Sequence, residues 1–386
     1  MALPPDVAAV FAAKTARTFC YGFLGILLPV YLSELGMSAA GVGVAVTLTL
    51  IGSAGLTWAV RRPAERYGGR LALLALTGLS AVAAVLLLTS REPWAVVAAA
   101  MLGNVAVGAG ETGPFLAIEQ VVVARGLTPA RRTLGLSIYN LLGYGAAALG
   151  AATVGAFPLY RPLFVIFLVG AGLQAAAYAA LPAAPAPPRR PPPGAVSSAP
   201  VIRKMAALFA LDSFAGGFVL QALVALFLHT RFQLSLPTLG WVFFATQVLT
   251  AASLLLAVRL AGRFGLLNTM VFSHLASNVL LLLMAAAPTA SIAVACLCLR
   301  HLLSQMDVPT RQAFVMAVVH DHEREAAAVA TNLWRTVAQA VSPAATGWVM
   351  QAVALSAPFV LGGGLKIVYD VLLYVTFRHV KLDDTR

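Results

Sequence analysis

Charge is scarce in this sequence, and the scarcity sets its class. Only 10% of the 386 residues are Asp, Glu, Lys or Arg, where a soluble globular domain carries about 25%. Hydrophobic residues make up 60%, so a soluble enzyme or binding module is excluded and an integral membrane protein is expected. Cysteine is nearly absent. Cys20, Cys296 and Cys298 all lie within apolar runs, which argues against a disulfide framework and, since the Cys-x-Cys pair has only His301 nearby, against a zinc site. The short alternating segments of a transmembrane barrel are also missing. The 32 glycines and apolar runs of about 20 residues fit spanning helices instead.

Apolar runs read against loop signals predict an all-α membrane protein with 12 transmembrane helices at 8–33, 40–60, 70–90, 94–119, 132–156, 162–181, 205–230, 238–261, 267–287, 291–318, 326–352 and 358–378. The first run contains Lys14 and Arg17, and is expected to be a retained helix rather than a cleaved signal. Between the sixth and seventh runs lies APAPPRRPPPGAVSSAP, residues 184–200, a composition that reads as linker. The expected organisation is therefore a six-helix bundle over 1–183, a cytoplasmic linker over 184–204, and a second six-helix bundle over 205–386.

The formal net charge of +12 does not point to nucleic acid, because its location follows the positive-inside rule. Only Arg91, Arg161 and Arg231 fall in loops on one side, while Arg61, Arg62, Arg66, Arg70, Arg125, Arg131, Arg132 and most other basic residues fall on the other. The richer side is expected to be cytoplasmic, together with both termini, in a multi-pass protein of the cell (inner) membrane. Six basic residues lie inside spans: Lys14, Arg17, Arg300, Arg311, Arg335 and Lys366.

The two halves repeat. An offset of 197 places Ser38 over Ser235, Gly43 over Gly240 and ERYG (65–68) over GRFG (262–265). An offset of 192 places Arg132 over Arg324, Asn140 over Asn332, Gly150 over Ser342 and Gly155 over Gly347. Matches in the same order at corresponding positions support parallel repeats, one architecture of secondary transporters.

On these residues the chain resembles the major facilitator superfamily over nearly its whole length. RRPAERYGGR, residues 61–70, is similar to the signature of that family's loop between helices 2 and 3. Glu65, Arg66, Gly68 and Arg70 match it, whereas Arg61 replaces its opening glycine and Gly69 a later basic position. The resemblance implies a cytoplasmic gate at these four residues. The second copy keeps only Arg263 and Gly265, with Gly262 in place of the acid. VAQAVSPAATG, residues 337–347, carries Ala338, Ser342, Pro343 and Gly347, spaced like the glycine-proline motif of the family's antiporters. Close packing of small residues explains that spacing without antiport.

A charge at the bilayer centre costs about 2.5–3.5 kcal/mol on insertion scales, so each buried one is a candidate for function. In SQMDVPTRQAF, residues 304–314, Asp307 and Arg311 share a helical stripe with Arg300 and Ser304. GAGETGPFLAIEQ, residues 108–120, holds a similar stripe of Glu111, Phe115 and Glu119, so both halves place an acid beside a proline. Asp307 and Arg311 read either as a neutralising pair or as part of a gate or coupling network. Arg17, with Tyr21 one turn on, can meet an anionic substrate or pair with Glu111. Glu111 is the leading candidate for proton coupling, as a carboxyl moved between water and an apolar cavity can load and release a proton. Asp212, Gln221, Asn140, Asn332 and Arg335 are further candidates for the substrate cavity, and Lys366 and Asp370 form an i, i+4 pair of opposite charge. His274 is isolated along the sequence and reads as structural, and HDHERE (320–325) reads as a solvated loop rather than a metal site.

The expected function is secondary active transport of a small organic molecule by alternating access, with proton-coupled export favoured. The alternatives are an importer or facilitator of an organic anion, or a transporter-like sensor or scaffold. No Walker A loop or catalytic triad is visible, so no enzymatic activity, cofactor or metal is expected. The expected partners are the substrate, protons and the lipid bilayer, without nucleic acid, and the chain is expected to act as a monomer.

Overall fold

The computed structural model describes residues 4–105, 113–182, 199–319 and 324–378. Fifteen helices account for its regular structure, and no strand occurs among the described residues. In chain order they are α1 (Pro5–Glu34), α2 (Ala39–Tyr67), α3 (Gly69–Thr89), α4 (Pro93–Leu102), α5 (Pro114–Gly126), α6 (Pro129–Ala156), α7 (Tyr160–Ala179), α8 (Ala199–Gly217), α9 (Gln221–Phe232), α10 (Leu236–Phe264), α11 (Leu266–Ala286), α12 (Ala290–Ser304), α13 (Asp307–Val318), α14 (Arg324–Ala352) and α15 (Ala357–Phe377). Nine spans among the described residues are long and apolar enough to cross a membrane, one of them running from Pro200 to Phe232 through the α8–α9 junction. The helix at Arg324–Ala352 is 29 residues long but falls outside those nine, because Asn332, Arg335, Gln339 and Gln351 dilute its apolar surface.

Three expected spans are interrupted rather than continuous. The expected helix over 291–318 breaks between Ser304 and Asp307. Pro309 explains the place: it has no N–H to give the carbonyl four residues earlier, at Gln305. The expected helix over 94–119 becomes α4 and α5, and α5 starts at Pro114 after Gly113 at φ 115°. Proline suits a first helical turn, where no donor is needed. The expected helix over 205–230 stops at Gly216-Gly217 and resumes at Gln221.

Repeated local chemistry shapes the joints. Gly68 between α2 and α3 has φ 90°, and Gly265 between α10 and α11 has φ 82°. Both are left-handed conformations that glycine adopts without a steric penalty, at positions the repeat had matched. Gly150 of α6 lies so close to α1 that a Cβ there would strike the Phe19 carbonyl, and Ser342 of α14 approaches Gly217 of α8 equally closely. These positions also correspond in the repeat, and small residues are what allow such backbone approach within a membrane.

The chain divides into two compact units, Met1–Arg189 with Val224–Gln247, and Arg190–Leu223 with Val248–Arg386. In the first, Val7, Val10, Phe11, Leu73, Leu76, Phe115, Val123, Tyr139 and Tyr178 form an apolar cluster. In the second, Met205, Phe209, Phe314, Val315, Tyr369, Leu373 and Phe377 form another. The outside is apolar as well: Trp58, Leu134, Leu255, Val258 and Val353 are among the large exposed hydrophobic side chains, a surface suited to lipid rather than water. In α1 and in the Pro200–Phe232 span, 78% and 83% of the most apolar window is buried. Within them Lys14, Arg17 and Asp212 are buried.

Candidate functional site

Each unit builds a polar cluster inside its apolar one. In the first, α1 presents Arg17, α5 Glu119, α6 Tyr139 and α7 Tyr178. The Arg17 guanidinium donates from Nη1 to Glu119 Oε1 at 3.0 Å and from Nη2 to Oε2 at 2.6 Å, the fork geometry that makes Arg–carboxylate pairs strong. Tyr178 donates to Oε1 at 2.5 Å and Tyr139 to Oε2 at 2.6 Å. Arg17 also donates to the Tyr178 oxygen at 2.7 Å, and Gln174 does so at 3.2 Å. The guanidinium lies 4.5 Å from the Phe115 ring centroid, and Lys14 Nζ lies 4.4 Å from that of Tyr139, both within range for cation–π attraction. Glu119 is fully buried with all its acceptor directions taken up.

In the second unit the centre is Asp212, near the end of α8. Its Oδ1 accepts from Lys366 Nζ of α15 at 2.5 Å and lies 3.7 Å from His274 Nε2 of α11, and its Oδ2 lies 3.6 Å from Arg311 Nη1 of α13. Arg311 Nη1 also donates to Asp307 Oδ2, and the Arg311 guanidinium sits 5.7 Å from the Phe209 ring centroid. His274 Nδ1 meets Asp370 Oδ1 at 2.7 Å, and Asn278 donates to Asp370 Oδ2 at 2.9 Å. From α14, Arg335 Nε donates to Ser213 Oγ at 3.0 Å. Among the described residues Asp307 Oδ1, Ser304 Oγ, Ser277 Oγ and Arg300 Nε are buried without a hydrogen-bond partner. Buried polar groups left unpaired cost about 1–3 kcal/mol each.

The sequence-predicted residues fall into three groups. Arg17 and Tyr21 are buried in α1, with Tyr21 donating to the Gly103 carbonyl at 3.2 Å. The described partner of Arg17 is Glu119, while Glu111 lies outside the described residues. Asp212, Asp307, Arg311 and Arg335 come together in the second unit, and Gln221 is buried at the start of α9. Asn140 is exposed on α6, and the side chains of Asn332 and Glu65 lie outside the described residues. At the expected gate, Arg66 is exposed over the Tyr67 ring at 5.3 Å, Gly68 is the φ 90° junction, and Arg70 is half-exposed.

Two sequence readings need correction. Lys366 and Asp370 do not satisfy each other along α15: Lys366 turns to Asp212 and Asp370 to His274. His274 is accordingly not isolated, because α8 and α15 bring carboxylates to both of its ring nitrogens. The sequence left Tyr139, Tyr178, Gln174 and Asn278 unnoticed. Their only signal was a polar tip inside an apolar run.

The sequence model of the Major Facilitator Superfamily matches residues 205–385. An uncharacterized membrane protein of Saccharomyces cerevisiae is 21% identical over 423 residues, covering 97% of this chain and 94% of its own. Among solved structures, the nucleoside transporter NupG superposes with a TM-score of 0.73 at 14% identity, covering 97% of this chain and 99% of that one. The xylose transporter XylE from E. coli, captured inward open, gives 0.74 at 11% identity, with 98% of each chain covered. The human organic anion transporter MFSD10 gives 0.68 at 17% identity, with 97% of this chain and 100% of that one covered. At such identities the structural likeness establishes the fold.

Proposed function

We propose that this chain is a member of the major facilitator superfamily and a proton-coupled exporter of a small organic molecule, a reading supported by the family match over residues 205–385 and by the likeness of its fold to solved transporters. Two six-helix bundles, 1–183 and 205–386, would alternate access to a site lined by the charged residues described above. The observation that carries the reading is the cluster around Asp212. It gathers Lys366, Arg311, His274 and Asp307 from α15, α13 and α11 in a buried place. Charges retained inside a membrane protein at this cost mark ion or substrate pathways by default. The interrupted helices α8–α9 and α12–α13 supply two of the cluster's acids, and interrupted helices commonly carry transporter sites. Support for export comes from the loop signature at Glu65–Arg70 and from the small-residue motif that packs Ser342 against Gly217.

A second reading, transport of an organic anion, is favoured by Arg300 and Arg335, which have no carboxylate partner among the described residues. One experiment addresses both. The full chain is reconstituted in proteoliposomes, a pH gradient is imposed, and a panel of nucleosides, sugars, dipeptides and organic carboxylates is offered. Proton-coupled export predicts gradient-driven movement of at least one of them against its concentration. Movement that ignores the gradient sinks the coupling, and selective movement of the carboxylates selects the second reading.

A further inference from the structure

We infer that His274 is a proton-binding site, with Nε2 taking up and releasing the proton while Nδ1 stays bonded to Asp370. Nδ1 lies 2.7 Å from a carboxylate oxygen and 3.3 Å from Asn278 Nδ2; with Asp370 ionised, the shorter contact places the hydrogen on Nδ1, since two lone pairs at this distance repel. Asn278 Nδ2 is occupied with Asp370 Oδ2 at 2.9 Å, which fixes the far side of the same carboxylate. The second nitrogen, Nε2, is then the one whose proton can come and go. Nε2 faces Asp212 Oδ1 at 3.7 Å, an ion-pair separation rather than a fixed hydrogen bond. With Nε2 protonated the imidazolium joins two carboxylates from two helices. With Nε2 bare, a lone pair faces Asp212, and that carboxylate is left to the two remaining cations.

The surroundings make this exchange consequential. His274 faces Asp212 from α8, and Lys366, Tyr369 and Asp370 from α15, with the Tyr369 ring edge-on at 5.8 Å. From α13, Arg311 and Asp307 approach through Asp212. From α12, which packs on α11, come the buried Arg300 and His301, the latter bonded through Nδ1 to its own helix at the Leu297 carbonyl. Asp212 sits five residues before α8 ends, and Arg311 lies just beyond the α12–α13 break. A proton on Nε2 thus adds one cation to a carboxylate that both interrupted helices share. Histidine is the side chain whose ordinary titration falls near neutral pH.

For its part in transport the inference rests on the proton-coupled reading. For proton binding itself it does not, and two readouts keep these apart. The full chain, labelled with 15N-histidine and purified in detergent micelles, is followed by NMR from about pH 5 to 8, with His274→Gln assigning the signal. The expected result is an Nε2 resonance that passes from pyrrole-type to pyridine-type as pH rises, while Nδ1 stays pyrrole-type. Constant protonation of both nitrogens, or loss of the proton from Nδ1, overturns the inference. If His274→Gln fails to fold, Asp370→Asn assigns the same signal, because Nδ1 then loses its carboxylate and the tautomer preference shifts. In proteoliposomes, His274→Gln is expected to lose gradient-driven movement roughly tenfold, a barrier change of about 1.4 kcal/mol, and to flatten the pH profile. A wild-type profile in that variant overturns the role in transport. A titrating His274 in a protein that ignores the gradient removes the coupling and leaves the proton site standing.

Discussion

The two units hold their buried charge in opposite ways. In the first, one carboxylate, Glu119, receives two hydrogen bonds from Arg17 and one each from Tyr139 and Tyr178, so the group is closed. In the second, Asp212, Asp307 and Asp370 share Lys366, Arg311 and His274, and atoms such as Asp307 Oδ1 and Arg300 Nε find no partner among the described residues. A closed cluster has one best arrangement and resists change. An open one has several of similar energy, which is what a moving or binding part requires. On the proposed function, the first cluster fixes helices and the second serves transport.

The contrast can be broken at its strongest point first. Glu119→Ala leaves the Arg17 guanidinium buried without its carboxylate, and removing one member of a buried pair costs about 3–5 kcal/mol. Thermal unfolding of the detergent-purified protein should show the largest loss of any variant named here, and a loss below about 1 kcal/mol would mean that the first cluster is not a lock. Asp212→Asn should act on transport more than on stability, because Arg311 keeps Asp307 and Lys366 keeps the carbonyl oxygens of residue 212, the side-chain amide and the main chain. Its gradient-driven flux should fall by roughly a hundredfold, about 2.7 kcal/mol in barrier, with a smaller change in unfolding. Equal losses in both measurements would erase the distinction between the clusters.

The double exchange Asp307→Arg with Arg311→Asp sharpens the comparison further. If the two residues only neutralised each other, the swap would restore activity. Arg311 also faces Asp212 at 3.6 Å, so the swap sets two carboxylates together, and flux should stay at least about tenfold below wild type. Tyr178→Phe removes one donor from Glu119 and one acceptor from Arg17, for about 1–3 kcal/mol of stability, read again by thermal unfolding. Asn140→Ala, at an exposed position, should stay within about 0.5 kcal/mol and leave flux unchanged.

What the sequence disclosed was periodic or local. The apolar runs marked the helices, Pro309 and Pro114 marked two interruptions, and the matched pairs Gly68 and Gly265, and Gly150 and Ser342, marked joints and close approaches that recur in both halves. What stayed hidden depended on partners far along the chain. Spacing placed Arg17 among acids, yet selection of Glu119 requires the rotation of α5 about its axis. The same holds for His274, whose partner Asp370 lies 96 residues away, and for Lys366, whose i, i+4 neighbour lost to Asp212 on another helix. For Asn140 the repeat match fixes a position in sequence but not which face of α6 carries it, and that face is exposed.

The bond between Arg17 and Glu119 also has a consequence for biosynthesis. The two residues are 102 positions apart, so at about 5–20 residues per second the ribosome delivers the acid about 5–20 s after the base. Until then α1 must wait at the translocon or in the bilayer with Arg17 lacking its Glu119 partner, a state that costs about 2.5–3.5 kcal/mol at the membrane centre. Stable residence of the first helix therefore becomes a late event in assembly, completed when α5 arrives to claim it.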